Sequence, residues 1–563
     1  MSDVWAHRVR RHLEVLYPER EDLDELIERC ATAIGVREPR RDPGPRIDPY
    51  TLWSERDSVL ITYADTFTDG DERPLRTLGR FVAKHGSAFS TVHVLPFAPS
   101  SSDRGFAVID HRAVRSELGD WDDIAALGLD ADLMFDLVCN HVSASSAWFR
   151  QFVAGEPPGR NYFVTASPAD DLSAVVRSRT HPLLHEVDAA AGPRWVWCTF
   201  SADQVDLDWR NPEVLLEMLR VLDDYIDRGA RLIRLDAVAF VWKEIGTPCI
   251  HLPQTHELVR LLRTLLHRRA PTTVLVTETN VPNVENLTYF GNGNEAHLIY
   301  NFALPPLLVH GLQQGRSDRL TAWMMSMPPA PEGCAYLNFI GAHDGIGLRP
   351  AEGLLSDEEI DDMVAAVHAL GGLHSTYLRH GGERPYELNI APIDAFGNDD
   401  LTIERFLCAH TVMLGLEGIP AMWVHSLLGT PSDRSAAMAS GVNRDINRSQ
   451  VALADVSGSP VMKRLSDLVH LRGQQAAFHP NATQYTLHLG DALFGFWRQS
   501  RDRSQSIFAV HNLTDAPQDL HADTLNLTLT ESWTDLLSGR RLAHGGEPFA
   551  LAPYQSAWIT NRR

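Results

Sequence analysis

Lysine is nearly missing from this 563-residue chain: three, at positions 84, 243 and 463, stand among 51 Lys and Arg residues. A compositional drift toward arginine explains this most simply. Any single arginine therefore carries little weight, whereas Lys243 gains some for having stayed. Positive charge is short as well, since 73 Asp and Glu leave a formal net charge of −22. Binding a polyanion requires a basic surface, so nucleic acid is not an expected partner. Small anions need only a local cluster of cations and stay open. No stretch approaches the ~18 apolar residues of a membrane helix, and the start, Met-Ser-Asp-Val-Trp-Ala-His-Arg, lacks the apolar core of a secretory signal. No membrane partner and a cytoplasmic location are expected. The six cysteines (30, 139, 198, 249, 334 and 408) lack metal-ligand spacing, and 139 and 334 fall in predicted strands. Buried reduced thiols are expected, with no metal and no organic cofactor.

What is present is a repeated alternation. Eight apolar β-runs can be counted, at 59–65, 91–95, 133–138, 232–238, 274–279, 298–302, 336–342 and 419–424, and helix-period segments such as 213–226, 256–267 and 358–370 fill most intervals. Alternating strand and helix implies a parallel sheet, and eight repeats imply an α/β fold of the (β/α)8 (TIM) barrel type. The boundaries read as a barrel over 57–141 and 204–480, an inserted domain over 142–203 after strand three, and an all-β C-terminal domain over 481–563. Strands in that last domain are predicted at 483–489, 492–498, 506–511 and 556–560. Residues 1–56 read as a helical extension outside the barrel (helices over 5–16 and 23–34, then a Pro/Arg-rich link over 37–48). The segment 380–389, with Gly-Gly beside Pro, reads as a mobile loop.

Three acids end apolar runs where a buried strand has no structural use for them. They are Asp236 in Arg-Leu-Ile-Arg-Leu-Asp-Ala-Val, Glu278 in Val-Leu-Val-Thr-Glu-Thr-Asn, and Asp344 in Phe-Ile-Gly-Ala-His-Asp-Gly. One such acid is readily a helix cap. Three, on strands that alternate with helical segments, point to the carboxyl-end rim, where barrel enzymes keep their chemistry. Arg234 shares a strand side with Asp236 and is expected to lower its pKa, as a nucleophilic carboxylate requires; a buried structural ion pair is the alternative. Glu278, desolvated near another carboxylate, suits a general acid. Asp136 and Asn140-His141 end strand three, and His141 is either a ligand for a sugar hydroxyl or a satisfied core histidine. Asp103-Arg-Gly105-Phe106 offers an acid and an aromatic face, though a turn explains it equally well.

These motifs, taken in order, are similar to the four conserved regions of the α-amylase (retaining α-glucoside) superfamily. From about residue 57 onward the chain most resembles the sucrose phosphorylase group within it. Matching segments include Ile61-Thr-Tyr-Ala-Asp65, Arg104-Gly-Phe-Ala-Val-Ile-Asp110, Gln204-Val-Asp206, Lys243-Glu-Ile-Gly-Thr247, Ala303-Leu-Pro-Pro-Leu307, His343-Asp-Gly-Ile-Gly347 and Arg444-Asp-Ile-Asn-Arg448. The resemblance implies Asp236 as nucleophile, Glu278 as acid/base and Asp344 as transition-state stabiliser. It also implies a glucosyl pocket of Asp103, Phe106, His141, Gln204, Arg234, His343 and Arg444.

Departures from that group bear on the leaving group. The helical extension is unusual, an Asp-Leu-Tyr-Gln stretch is replaced by Arg384-Pro385-Tyr386-Glu387, and Phe240 stands where a Tyr follows the nucleophile. Losing neutral hydrogen-bond partners and gaining guanidinium favours an anionic acceptor. Together these features look most like the glucosylglycerate phosphorylases. The expected substrates are then glucosylglycerate and inorganic phosphate, with glucose 1-phosphate and D-glycerate as products, through a covalent glucosyl-enzyme. Arg179, Phe240, Arg384, Tyr386 and Glu387 are the expected phosphate and acceptor contacts, with a solvated loop arginine as the alternative for Arg179. Sucrose or sucrose 6′-phosphate phosphorolysis, α-glucosidase action and a catalytically dead binding protein are the competing expectations.

Overall fold

All eight apolar runs become strands of one closed parallel barrel, in chain order. They are β1 (Val59–Thr62), β2 (Thr91–Val94), β3 (Asp132–Val138), β4 (Ala230–Asp236), β5 (Val274–Thr277), β6 (Leu298–Tyr300), β7 (Ala335–Asn338) and β8 (Ile419–Trp423). Each pairs with its sequence neighbour, and β1 pairs with β8 to close the ring. Nearly every residue of these strands is buried, which is why they read as continuous Val, Ile and Leu rather than as an alternation. This computed structural model describes residues 4–36, 48–177, 179–379, 382–525, 527, 532–542 and 547–562. The expected Pro/Arg-rich link lies, apart from Asp48, outside them.

The helices start where local chemistry lets them. In the helix Pro212–Asp227 the Asn211 side chain accepts from the Glu213 amide, and Pro212 occupies the first turn, where no amide is needed. The N-terminal helices α1 (Val4–Leu16) and α2 (Leu23–Ala33) bury Val9, Leu13, Leu26 and Cys30 in the same apolar cluster as the barrel strands. Trp5 Nε1 donates to the Thr264 carbonyl at 3.1 Å, and Tyr17 Oη donates to that of Trp209 at 3.1 Å. The extension thus forms an outer layer on the barrel helices.

Over the carboxyl ends of the strands lie two covers. Residues 142–203 contain the helix Ala147–Ala154 and a hairpin, Leu184–Ala189 with Gly192–Trp197, around Val164, Leu183 and Trp197. Their two ends are tied by pairing of His141–Ser143 with Gln204–Asp206. The second cover is a correction: where a loop was expected, Gly382–Asn389 is a strand, paired with Leu373–Arg379 and Ile346–Gly347. Residues 380 and 381 lie outside the described set. Pro385 misled because proline normally breaks a strand; here it sits beside a bulge, where a missing amide does little harm.

Two placements shift by a few residues. β7 stops at Asn338, not 342, so Asp344 lies beyond the strand rather than at its end. The apolar residues of 339–342 are buried without being strand, Phe339 against the rings of Tyr300 and Phe302. Cys139 follows β3 and Cys334 precedes β7, instead of lying within them, and all six thiols are buried and free. Beyond the barrel, Thr483–Leu487, Leu493–Gln499, Ser506–Asn512 and Ser556–Thr560 join a six-stranded sheet. Among the described residues no helix is long and apolar enough to cross a membrane.

Candidate active site

Asp236 is the last residue of β4, and Ala237 then turns left-handed at φ 54°. A non-glycine residue held there is strained, and such strain persists only where the surroundings impose it. The turn points the Ala237 amide at Glu278, whose Oε2 accepts from it at 3.3 Å. Arg234 lies on the same side of β4, as the alternation requires, and its Nη1 donates to Asp236 Oδ1 at 3.0 Å. The same guanidinium pairs with Asp136 and reaches Glu278 at 3.9 Å. Its face lies 5.6 Å from the Phe106 ring. Asp136 also binds His93 at 2.8 Å.

Asp344 is placed by residues far along the chain. Arg444 Nη1 contacts its Oδ1 at 2.7 Å and Arg448 Nη2 contacts it at 3.3 Å, while Arg448 Nε donates to the His343 carbonyl at 2.8 Å. Gly345 follows at φ +96°, with the Leu388 carbonyl only 2.3 Å from where a Cβ would stand, so this turn admits glycine alone. His343 stacks flat on Phe106, with ring centroids 5.1 Å apart. His141 and Gln204 meet at 3.0 Å, Gln204 reaches Asp103 at 3.4 Å, and His141 Nε2 also contacts the Phe106 carbonyl at 3.1 Å.

One cleft therefore gathers Asp103, Phe106, His141, Gln204, Asp236, Glu278, His343, Asp344 and Arg444, with Arg234 just behind in a connected cavity. Arg179, Phe240 and Tyr386 complete its mouth. Arg179 lies over the rings of Tyr386 (5.0 Å) and Phe200 (5.6 Å), and Phe240 meets Phe200 edge-on at 5.5 Å. Two expected contacts do not reach it. Arg384 points away and pairs with exposed Asp357 at 3.2 Å. Glu387 is buried and grips Arg444 with both oxygens at 2.8 Å, so it holds an arginine rather than an acceptor. Both departures follow from the bulge, which leaves Tyr386 unpaired and breaks the alternation between 384 and 387. Arg349, Asn280 and Arg448 were missed. Their only signal was adjacency to motifs, Arg349 two residues after Gly347 and Arg448 one helical turn after Arg444.

The carboxyls outnumber the guanidiniums here, and their pKa values show it. Burial has the largest effect on Asp236 and raises it well above the ordinary range; Arg234 opposes this, and Glu278, Asp136 and Asp344 add to it. Arg234 does act to lower Asp236, as expected, but burial first and the neighbouring acids second outweigh it. Glu278 also rises, through burial first, against Arg234. Asp136 falls to about 2: burial works against this, but Arg234 and His93 outweigh it. Asp344 falls well below the usual range, since Arg444, His343 and Arg448 together overcome its burial. Asp236 and Glu278 then titrate as one unit holding a shared proton. That proton belongs on Glu278, because Asp236 accepts the charge-assisted bond from Arg234 while Glu278 has a backbone amide and a distant guanidinium.

Lys243, one of the three lysines, is buried beneath this rim. Its Nζ lies 2.6 Å from Asp206 Oδ2 and 2.6 Å from Asn140 Oδ1, and Asn140 Nδ2 contacts His141 Nδ1 at 3.3 Å. The ammonium ties the base of the 142–203 cover to the His141 strand end. Replacing one member of a buried pair strands the other, at about 3–5 kcal/mol. Lys243→Met should therefore lower Tm sharply in calorimetry, with the double variant Lys243→Met/Asp206→Asn recovering part of the loss.

The chain is similar to known proteins along its length. Residues 85–344 match the model of the α-amylase catalytic domain. A glucosylglycerate phosphorylase of Allomeiothermus silvanus is 41% identical over 571 aligned positions, covering 98% of each chain. Another, of Spirochaeta thermophila, is 41% identical over 90% of each. Among solved structures, a sucrose 6F-phosphate phosphorylase from Thermoanaerobacter thermosaccharolyticum superposes with a TM-score of 0.73 at 24% identity, over 89% of this chain and 98% of that one. That likeness is one of fold. Barrel, ordered acid motifs and full-length identity together place this chain in the α-amylase family, in the branch that holds the glucosylglycerate phosphorylases.

Proposed function

We propose that the protein converts 2-O-α-D-glucosyl-D-glycerate and inorganic phosphate, reversibly and with retained configuration, to α-D-glucose 1-phosphate and D-glycerate. The observation that carries this reading is the full-length match to glucosylglycerate phosphorylases by a chain that keeps all three acids in one cleft. Asp236 attacks the anomeric carbon as Glu278 protonates the departing glycerate oxygen. Asp344, held ionised by Arg444 and Arg448, stabilises the positive charge that develops on the sugar. Phosphate, already anionic, then displaces Asp236 from the glucosyl-enzyme. Phe106, Asp103, His141, Gln204 and His343 surround the glucosyl unit. Phe240, Phe200 and Tyr386 form the apolar mouth that keeps out water, the competing nucleophile. Arg179 contributes positive charge on the side where both anions enter.

An acceptor screen with glucose 1-phosphate as donor tests this. Glycerate should be consumed with a kcat/KM at least ~100-fold above those of fructose, fructose 6-phosphate and glycerol, the margin expected when a site built for a charged partner meets one lacking it. Faster transfer to a neutral sugar, or release of free glucose at a rate insensitive to phosphate, would overturn the assignment.

A further inference from the structure

The cleft contains a buried guanidinium, Arg349, whose one ion pair among the described residues is long. Arg349 follows the short strand Ile346–Gly347, in a turn spanning Arg349–Ala351. Antiparallel pairing of Ile346–Gly347 with Glu387 and Leu388 carries the chain to Tyr386, whose carbonyl accepts from the Leu348 amide at 2.9 Å. The Arg349 side chain is buried, yet it lines the active-site cleft. Among the described residues nothing hydrogen-bonds its Nε, and the carboxylate of Glu352 stands 3.9 Å away. Tyr377 donates to that same carboxylate oxygen at 2.6 Å. Arg349 lies over the Tyr377 ring at 5.2 Å; Tyr377 meets Tyr386 at 5.9 Å, and Arg179 lies over Tyr386 at 5.0 Å. Two cations and two tyrosine rings thus form one chain of contacts, of which Arg349, Tyr386 and Arg179 line the cleft with Asp236.

Burying a guanidinium whose one ion pair is long and whose Nε makes no hydrogen bond is costly unless a ligand completes it. Its planar fork suits a carboxylate, which accepts two parallel hydrogen bonds. Asn280 lines the same cleft, packed against Gly347, with an Oδ1 that accepts no hydrogen bond among the described residues. We infer that Arg349 is the specificity-determining residue that binds the carboxylate of the acceptor, with Asn280 receiving an acceptor hydroxyl. The inference rests on the proposed function and adds to it the atom that distinguishes an acid from a neutral polyol. In the transfer step the 2-hydroxyl oxygen of glycerate bonds to the anomeric carbon. The ester bond to Asp236 breaks, its electron pair returns to that carboxylate, and the hydroxyl proton passes to Glu278. Arg349 takes no proton; it fixes the acid end so that the hydroxyl points at the sugar.

Because glucose 1-phosphate itself places an anion on this side, the test uses α-D-glucosyl fluoride as donor. D-glycerate, glycerol and inorganic phosphate are compared as acceptors for the wild type, Arg349→Gln and Arg349→Lys. Arg349→Gln should raise the KM for glycerate ~30-fold, as loss of a charge-assisted hydrogen-bonded pair predicts. The KM values for glycerol and phosphate, and hydrolysis of the fluoride without acceptor, should stay within ~3-fold. Arg349→Lys, which keeps the charge but not the fork, should fall between and serves if the glutamine variant does not fold. An unchanged glycerate KM in either variant, an equal loss with glycerol, or a loss confined to phosphate would overturn the assignment while leaving the proposed function standing. A wild type indifferent to glycerate would overturn both.

Discussion

Asp236→Asn should lower kcat for phosphorolysis by about 10⁴-fold or more, the scale on which removing a covalent nucleophile acts. The amide keeps the shape of the side chain and still accepts from Arg234 through its oxygen, and Arg234 retains Asp136 as a buried partner. The fold should therefore survive, with Tm within a few degrees of the wild type. Asn cannot supply the negative charge or the electron pair that bonds to the anomeric carbon. The readout is initial release of glucose 1-phosphate, alongside a search by mass spectrometry for a trapped glucosyl adduct. Retention of more than ~1% of wild-type turnover, on protein shown to carry the substitution, would remove Asp236 from the centre of the mechanism.

The barrel and its acids were legible because burial leaves a pattern in the residues themselves. A strand enclosed on both faces is a run of Val, Ile and Leu, so Asp236 and Glu278 stood out as polar residues at the ends of such runs. Asp344 stood out too, although it lies six residues past β7, because the segment before it is equally buried. The acceptor side was much less legible. Whether Arg384 or Glu387 faces the cleft depends on strand parity, and a single bulge at Tyr386 resets that parity without a distinctive residue. Arg349 and Arg448 matter through contacts with Tyr377 and Asp344, which lie in other elements and cannot be paired from linear spacing. The Asp236 pKa failed for a related reason. A pairwise reading saw Arg234 beside it, while folding also buried the carboxyl and then brought Glu278, Asp136 and Asp344 near it.

Glu278→Gln should separate the two halves of the reaction by their need for a proton. Glycerate is a poor leaving group as an alkoxide, so its departure requires Glu278 as acid. The variant should lose 10²–10⁴-fold in kcat with glucosylglycerate, the usual range for a general acid. Fluoride leaves without full protonation, so glucosyl transfer from α-D-glucosyl fluoride to phosphate should fall by less than ~10-fold. The pH profile supplies the sign. Burial raises Glu278 above the ordinary carboxyl value, and the acid works only while protonated. Wild-type activity should thus persist at low pH and decline as pH rises through that raised value, the alkaline limb of a bell. Its acid limb reports the pair losing the Asp236 charge as a second proton binds. The introduced glutamine carries no charge and no titrating proton, so the alkaline limb should vanish from the residual activity with glucosylglycerate. Asp236 would also be relieved of one of the acids that raises it, and the acid limb should move to lower pH. Persistence of the alkaline limb in the variant would assign the proton to another group in the cleft.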